Sequence, residues 1–290
     1  METIDTIARM KQVSREAAEK KGVVGLVPTM GALHEGHFSL VRAAQQQCSQ
    51  IVVSIFVNPT QFGPSEDFQK YPRSLESDRS ALEMLGVDYL FAPAPEEMYP
   101  AGFRTSIVVK ELSDRLEGLS RAGHFRGVAT VVAKLFEIVG PSFAYFGRKD
   151  AQQARIIRQM TRDLDIETQI VTCPIVRESD GLALSSRSLY LAGDDRRAAT
   201  ALYRSLESVE RQVAAGESDV ARLLAAARGV LSAEPRVKID YAEIVDADTL
   251  EPVMSLRGSC LVLLAATVGS TRLIDNALVE QEGDSFRAIV

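Results

Sequence analysis

Val23-Val24-Gly25-Leu26-Val27-Pro28-Thr29-Met30-Gly31-Ala32-Leu33-His34-Glu35-Gly36-His37 runs from an apolar stretch, through a glycine-bearing turn, into a helix-like pattern over residues 38–47. Buried strand, turn and helix start, in that order, are the parts from which α/β folds build a phosphate site. A helix N-terminus presents backbone N–H groups and about half a unit of positive charge. Gly31 and Gly36 let a ligand approach the backbone where a side chain would block it.

The His34-Glu35-Gly36-His37 portion resembles the phosphate-binding turn of adenylyl-transferring enzymes. In those enzymes imidazole donates hydrogen bonds to phosphate oxygens and stabilises the charge that builds as pyrophosphate leaves. Two other readings of the pair stand beside this one. A His-x-x-His metal site wants a third and fourth ligand, but His124 is distant in sequence and no cysteine cluster accompanies the pair. The histidines could also be satisfied structural residues at a helix start.

Working outward, residues 51–57, 89–92, 107–109, 143–146 and 168–172 read as further strands after 23–27, and 4–20, 38–47, 74–85, 128–139 and 151–164 as helices. Strands alternating with amphipathic helices predict a parallel sheet covered on both faces. Three of the strands run directly into polar segments bearing Gly or Pro, at 28–37, 58–73 and 147–153. Ligands of open α/β sheets sit outside the carboxyl ends of the strands, so these segments are expected to converge on one crevice. After about Pro174 the composition changes. Residues 194–216 and 219–233 read as Ala-, Leu- and Arg-rich helices, and 238–246, 260–268 and 271–276 as strands, which predicts a smaller α+β domain.

At 290 residues, 46% hydrophobic and 25% charged, the chain has the composition of a globular protein with a substantial core. A net charge of −6 argues against a nucleic-acid-binding surface. No apolar run reaches the roughly 18 residues of a membrane span, and Met1-Glu2-Thr3-Ile4-Asp5 lacks an apolar signal core. Cys48, Cys173 and Cys260 are far apart and odd in number, which predicts free thiols and a cytoplasmic protein.

The remaining candidates share the strand-to-loop placement. Asn58 and Gln61 are uncharged donor–acceptors suited to a hydroxylated substrate. In Phe146-Gly147-Arg148-Lys149-Asp150-Ala151-Gln152-Gln153, Gly147 gives backbone access and Lys149 a positive charge for phosphate. Asp150 either caps the following helix or accepts from ribose hydroxyls, and Gln153 lies one turn further in. Leu184-Ser185-Ser186-Arg187 sets two hydroxyls beside a guanidinium, a donor-rich loop that can close on a triphosphate or simply cap a helix. Arg121-Ala122-Gly123-His124-Phe125-Arg126-Gly127 is another basic, glycine-containing loop that could line or gate the site.

Together these blocks resemble the pantothenate synthetase family, the pantoate–β-alanine ligases of coenzyme A biosynthesis. The resemblance covers residues 28–37, 53–62, 71–73, 121–127, 146–153 and 180–187, and extends to Thr271-Arg272-Leu273-Ile274-Asp275-Asn276 near the end. It implies a Rossmann-like catalytic domain over 1–175 that binds ATP and pantoate, and a smaller C-terminal lid domain over 176–290. It further implies a homodimer that uses ATP with Mg2+. In the implied reaction the carboxylate of (R)-pantoate attacks the α-phosphorus of ATP, giving pantoyl adenylate and pyrophosphate. The amine of β-alanine then attacks the activated carbonyl, releasing pantothenate and AMP.

Position by position, the resemblance assigns Met30, Gly31, Ala32, Leu33, His34, Glu35, Gly36 and His37 to ATP, with His37 the proton donor to the leaving group. Lys149, Ser185, Ser186 and Arg187 would neutralise the triphosphate, so that His34, His37, Lys149 and Arg187 form the catalytic set. Gly147 and Asp150 would lie by the ribose and Val176 near the adenine, with Arg148 and Leu184 also among the residues assigned to ATP. Gln61 and Gln153 would hold pantoate with Asn58 in support, and Gln61 would also face β-alanine. The protein ligands of Mg2+ stay open. Arg148 departs from the acidic residue common in the family, and its side chain is expected to point away from the reacting atoms. Two other functions fit parts of the pattern: a nucleotidyltransferase of the same superfamily, and an ATP-binding module without turnover.

Overall fold

The computed structural model describes residues 1–64 and 66–290. The chain divides into two units, one of Met1–Arg148 with Gln152–Pro174, the other of Lys149–Ala151 with Ile175–Val290.

In the first unit Leu26 and Val27 lie fully buried in β2 (Val24–Thr29), the strand from which the sheet grows in both directions. With β1 (Glu2–Ile4), β3 (Gln50–Ile55), β4 (Tyr89–Phe91), β5 (Phe143–Gly147) and β6 (Gln169–Cys173) it forms a six-stranded sheet ordered β1-β4-β3-β2-β5-β6. Every pairing is parallel. The chain works from β2 towards one edge and returns to lay β5 on the other side of β2. Strand order therefore reverses between β2 and β5, the place where such sheets bind ligands. Pro28 sharpens that opening, because it has no N–H to offer a ladder. Pairing of β2 with β3 continues to Thr29↔Ile55, whereas pairing with β5 stops at Leu26↔Ala144.

Helices α1 (Ile7–Glu19), α2 (Glu35–Gln45), α3 (Leu75–Met84), α4 (His124–Val139) and α5 (Ala151–Asp163) accompany the sheet. The residues of α4 are almost all buried. Some expected elements change. Residues 2–4 form an edge strand, and the helix begins only at Ile7, where the Thr6 hydroxyl accepts from Arg9 N–H. Residues 107–109 are not a strand: the Ile107 N–H donates to the Thr130 hydroxyl (2.9 Å), a side-chain partner in place of a ladder.

The second unit has an antiparallel sheet ordered β10-β9-β8-β7, made of β7 (Val237–Asp246), β8 (Ser259–Val268), β9 (Thr271–Glu282) and β10 (Ser285–Ile289). Helices α6 (Gly193–Ala198), α7 (Ala201–Ala214) and α8 (Val220–Ser232) precede it. Leu202, Leu206 and Val209 of α7 and Leu223, Ala227 and Leu231 of α8 share a core with Val262, Leu264 and Ala266 of β8. The expected single helix over 194–216 breaks near Thr200, whose hydroxyl donates to the Arg197 carbonyl (2.8 Å). The last expected strand runs on to Glu282 and turns at Gly283 into β10, which the expected strand set lacks. Among the described residues no helix is long and apolar enough to cross a membrane. The fold is α/β, a parallel sheet with a separate antiparallel α+β unit.

Candidate active site

At the carboxyl end of β2 the chain makes a turn that residues 29–33 could not hold unaided. Gly31 has φ +85° and Ala32 φ +50°, and a left-handed alanine costs about 1–2 kcal/mol. Asp78 of α3 offsets that strain: its Oδ2 accepts from Ala32 N–H (2.8 Å) and its Oδ1 from Leu33 N–H (2.9 Å). The carboxylate is buried, and the Ser74 hydroxyl donates to it as well (3.2 Å). Hydrogen bonds to a charged group contribute about 1.5–3 kcal/mol each, so the clamp outweighs the strain. The Thr29 hydroxyl adds a brace by accepting from Gly31 N–H and donating to the Ser54 carbonyl.

The helix α2 begins three residues before the expected start, because His34 is its N-cap. His34 Nδ1 accepts from Gly36 N–H (3.2 Å), and His37 Nδ1 accepts from His34 N–H (3.3 Å), a reciprocal capping box made of two imidazoles. Backbone N–H can only donate, so both Nδ1 atoms are acceptors and each neutral ring carries its proton on Nε2. The ring centroids lie 4.1 Å apart. The helix start is thus not an open set of N–H groups, since the Gly36 N–H is taken by an imidazole and the His37 N–H by the His34 carbonyl. Both imidazoles are thereby tied to the turn through Nδ1, with the ring proton on Nε2.

Asn58 and Gln61 belong to the same unit. Asn58 is 1% exposed and its polar atoms are engaged. Its Nδ2 donates to Gln61 Oε1 (3.0 Å) and to the Gly127 carbonyl (3.1 Å), while its Oδ1 accepts from the Thr60 hydroxyl (2.9 Å) and the Tyr99 hydroxyl (2.8 Å). Asn58 therefore holds Gln61, and the Gln61 amide nitrogen reaches Met30 Sδ (3.0 Å). This brings Asn58, Gln61, Met30 and the histidine turn together. The adjacent glutamines of α5 divide their work. Gln152 is buried and tied to the Leu112 and Arg115 carbonyls and the Glu117 N–H, whereas Gln153 is half-buried. Gly147 closes β5, and a Cβ there would meet nothing within 4 Å. Arg148, half-buried, opens the short 3-10 turn Arg148–Asp150.

The second unit carries the other candidates. Lys149 Nζ stands 3.9 Å from Asp150 Oδ1, and the Lys149 carbonyl accepts from Asn276 Nδ2 (2.9 Å). Next to Asn276, buried Asp275 pairs in two-pronged fashion with Arg177 (2.7 and 3.0 Å), which also donates to the Gly181 carbonyl (3.1 Å). Leu184 N–H donates to the Val176 carbonyl (3.0 Å), so Val176 and Leu184 face each other across a small hairpin. Gly181 at its tip has φ +88°, and a Cβ would fall 2.0 Å from Tyr203 Cδ1. Ser185 caps the 3-10 turn Ser186–Tyr190 by accepting from Arg187 N–H (3.2 Å).

Asp78, Tyr99 and Asn276 shape these sites without having been singled out from sequence. Only Asp78 carried a usable signal: it shares the buried side of α3 with Leu82, an acid where periodicity calls for an apolar residue.

The comparisons with known proteins agree along the whole chain. The model of the family described as pantoate-beta-alanine ligase matches residues 2–278. A pantothenate synthetase of Acidobacterium capsulatum is 53% identical over 298 residues, covering 99% of this chain and 100% of its own. One from Thermotoga neapolitana is 54% identical over 279 residues, covering 96% and 100%. Among solved structures, a Thermus thermophilus pantothenate synthetase superposes with a TM-score of 0.91 at 47% identity, covering 95% of this chain and 98% of that one. The Francisella tularensis pantoate-beta-alanine ligase, complexed with beta-gamma ATP and β-alanine, gives 0.80 at 37% identity, covering 98% and 100%. With a strand-reversal crevice and a double-imidazole cap where the sequence led one to look, the chain belongs to the pantoate–β-alanine ligase family.

Proposed function

We propose that this chain condenses (R)-pantoate with β-alanine at the expense of ATP, giving pantothenate, AMP and pyrophosphate through a pantoyl adenylate. The observation that carries the reading is the pair of Nδ1-anchored imidazoles at the head of α2, in a chain of this family. A carboxylate acylates an amine poorly because its leaving group would be oxide; adenylation supplies a better one. The protein's share is positioning and charge stabilisation. The Nε2–H groups of His34 and His37 donate to the phosphate oxygens that gain charge as pyrophosphate departs. Lys149, Ser185, Ser186 and Arg187 neutralise the triphosphate, while Gly147 and Asp150 serve the ribose and Val176 the base, with Leu184 also at ATP. Gln61, oriented by Asn58, and Gln153 hold pantoate, and Gln61 faces β-alanine in the second step. The β-alanine amine attacks as the free base and loses a proton as AMP leaves.

Mg2+ enters with ATP. Among the described residues no three His, Cys, Asp or Glu side chains gather as a metal cage, and the triphosphate and water are suited to hold such an ion. We also infer a homodimer, on the resemblance to the family, and a cytoplasmic setting, where Cys48, Cys173 and Cys260 stay as free thiols.

The test is AMP release from ATP and Mg2+ with pantoate and β-alanine together and singly. AMP formation that needs both, with pyrophosphate exchange supported by pantoate alone, is expected. ATP binding without turnover would overturn the reading in favour of an ATP-binding module.

A further inference from the structure

The turn that carries Gln61 is one 3-10 turn, Pro59–Gln61, without a ladder or helix of its own to keep its shape. The first turn of α4 supplies that shape. The Gly127 carbonyl accepts from Asn58 Nδ2, and Gly127 must be bare, because a Cβ would lie 2.5 Å from the Thr60 carbonyl oxygen and 2.6 Å from Gln61 N. Beside it His124, 8% exposed, places Nδ1 2.9 Å from the Gln61 carbonyl oxygen and Nε2 3.0 Å from Arg121 Nη1. A guanidinium only donates, so Nε2 is the acceptor; the ring proton is then on Nδ1 and is given to Gln61. Arg121 is itself gripped by Glu66 through Nε (3.0 Å) and Nη2 (2.7 Å). The ionisable groups that act on the ring are Arg121, Glu66 and Glu117, and burial together with the Arg121 charge keeps it neutral, with a pKa lowered to about 4.

We propose that His124 is a positioning residue of the acid-substrate subsite: its Nδ1–H, locked in place by Arg121 and Glu66, fixes the main chain of Gln61 and so aims the Gln61 carboxamide at the hydroxy-acid substrate. The proposal rests on the reading that Gln61 binds pantoate. His124 itself touches no reacting atom. The relay explains why Arg121 stands at the head of this loop although its charge is spent internally on Glu66.

Two substitutions separate the ring's two nitrogens. His124→Asn keeps an amide N–H near the position of Nδ1, whereas His124→Gln moves the amide towards Nε2 and abandons the Gln61 carbonyl. Steady-state kinetics should show the KM for pantoate about tenfold higher in His124→Gln, a lost hydrogen bond's worth. The KM for ATP should stay within about twofold, and His124→Asn should lie within about threefold of the parent in both. Equal KM changes for ATP and pantoate in the two variants would overturn the proposal in favour of a general packing role. Gln61→Ala runs alongside. An unchanged KM for pantoate in that variant would remove the reading of Gln61, whereas a raised KM there with His124→Gln unaffected would remove the positioning role alone. Should the glutamine variant not fold, the nitrogen NMR spectrum of the ring-labelled parent decides. Of three histidines, His124 alone is expected to carry its neutral proton on Nδ1, and an Nε2–H signal for it would sink the relay.

Discussion

Two turns of the first unit each hang on imidazole, and they use the ring in opposite senses. In the 30–37 turn the backbone donates to Nδ1 of His34 and His37, which leaves the proton of each ring on Nε2. In the 58–61 turn His124 donates from Nδ1 to the backbone and accepts at Nε2 from Arg121. In the proposed function the first arrangement makes a helix cap into a donor pair for phosphate, and the second makes a histidine into a rivet beneath the loop that carries Gln61. Residue type does not distinguish chemistry from support here. The direction of the hydrogen bond does, and that is set by residues far away in sequence.

The largest effect is expected at His37. His37→Ala should lower turnover about 100-fold or more, the scale of a lost charge-stabilising donor. The fold should persist with a modest fall in melting temperature, since a lost cap costs about 1 kcal/mol. Near-normal turnover would take His37 out of the mechanism. On the other side, Gly127→Ala should cost about 2–3 kcal/mol in chemical denaturation and raise the KM for pantoate, because its methyl group must displace the Thr60–Gln61 backbone. A stability gain instead would mean that the 58–61 turn yields easily.

The buried ring also gives the second turn a pH dependence of its own. With a folded pKa near 4 against an ordinary 6.5, His124 binds fewer protons folded than unfolded between those values. Its contribution is fully present above pH 6.5 and is lost as pH falls. From pH 7 to 5 the parent should lose about 2 kcal/mol relative to His124→Asn, measured by urea denaturation at both values. Parallel curves would show that the ring is not buried neutral. The smallest of these effects belongs to the clamp on the first turn. Asp78→Asn keeps one acceptor of two and should raise the KM for ATP about tenfold, with little change for pantoate. Equal changes for both substrates would place Asp78 in general stability.

Much of this was legible from composition and pattern. The apolar runs over β2, β3 and β5 and the polar segments after them marked the sheet and its carboxyl ends, since buried parallel strands are continuous in hydrophobicity. The three-residue edge β1 was not, because Ile4 also fits the periodicity of the helix behind it. Residues 107–109 look like a strand by type, yet only the position of Thr130 shows that no ladder is made. At the site, the histidine turn stood out locally. Asp78 acts on it across 45 and 46 positions and His124 on Gln61 across 63, and no local pattern encodes a pairing at that separation.

The bond from Asn276 to the Lys149 carbonyl spans 127 positions of chain. At roughly 5–20 residues per second of synthesis, the lysine emerges many seconds before the asparagine that anchors it. A nascent chain can complete the parallel sheet and both histidine turns while the lysine segment still lacks its anchor. Only when β9 is made does that segment gain its bond to Asn276, so a protein truncated before β9 would keep a capped α2 and yet lack this hold on the lysine backbone.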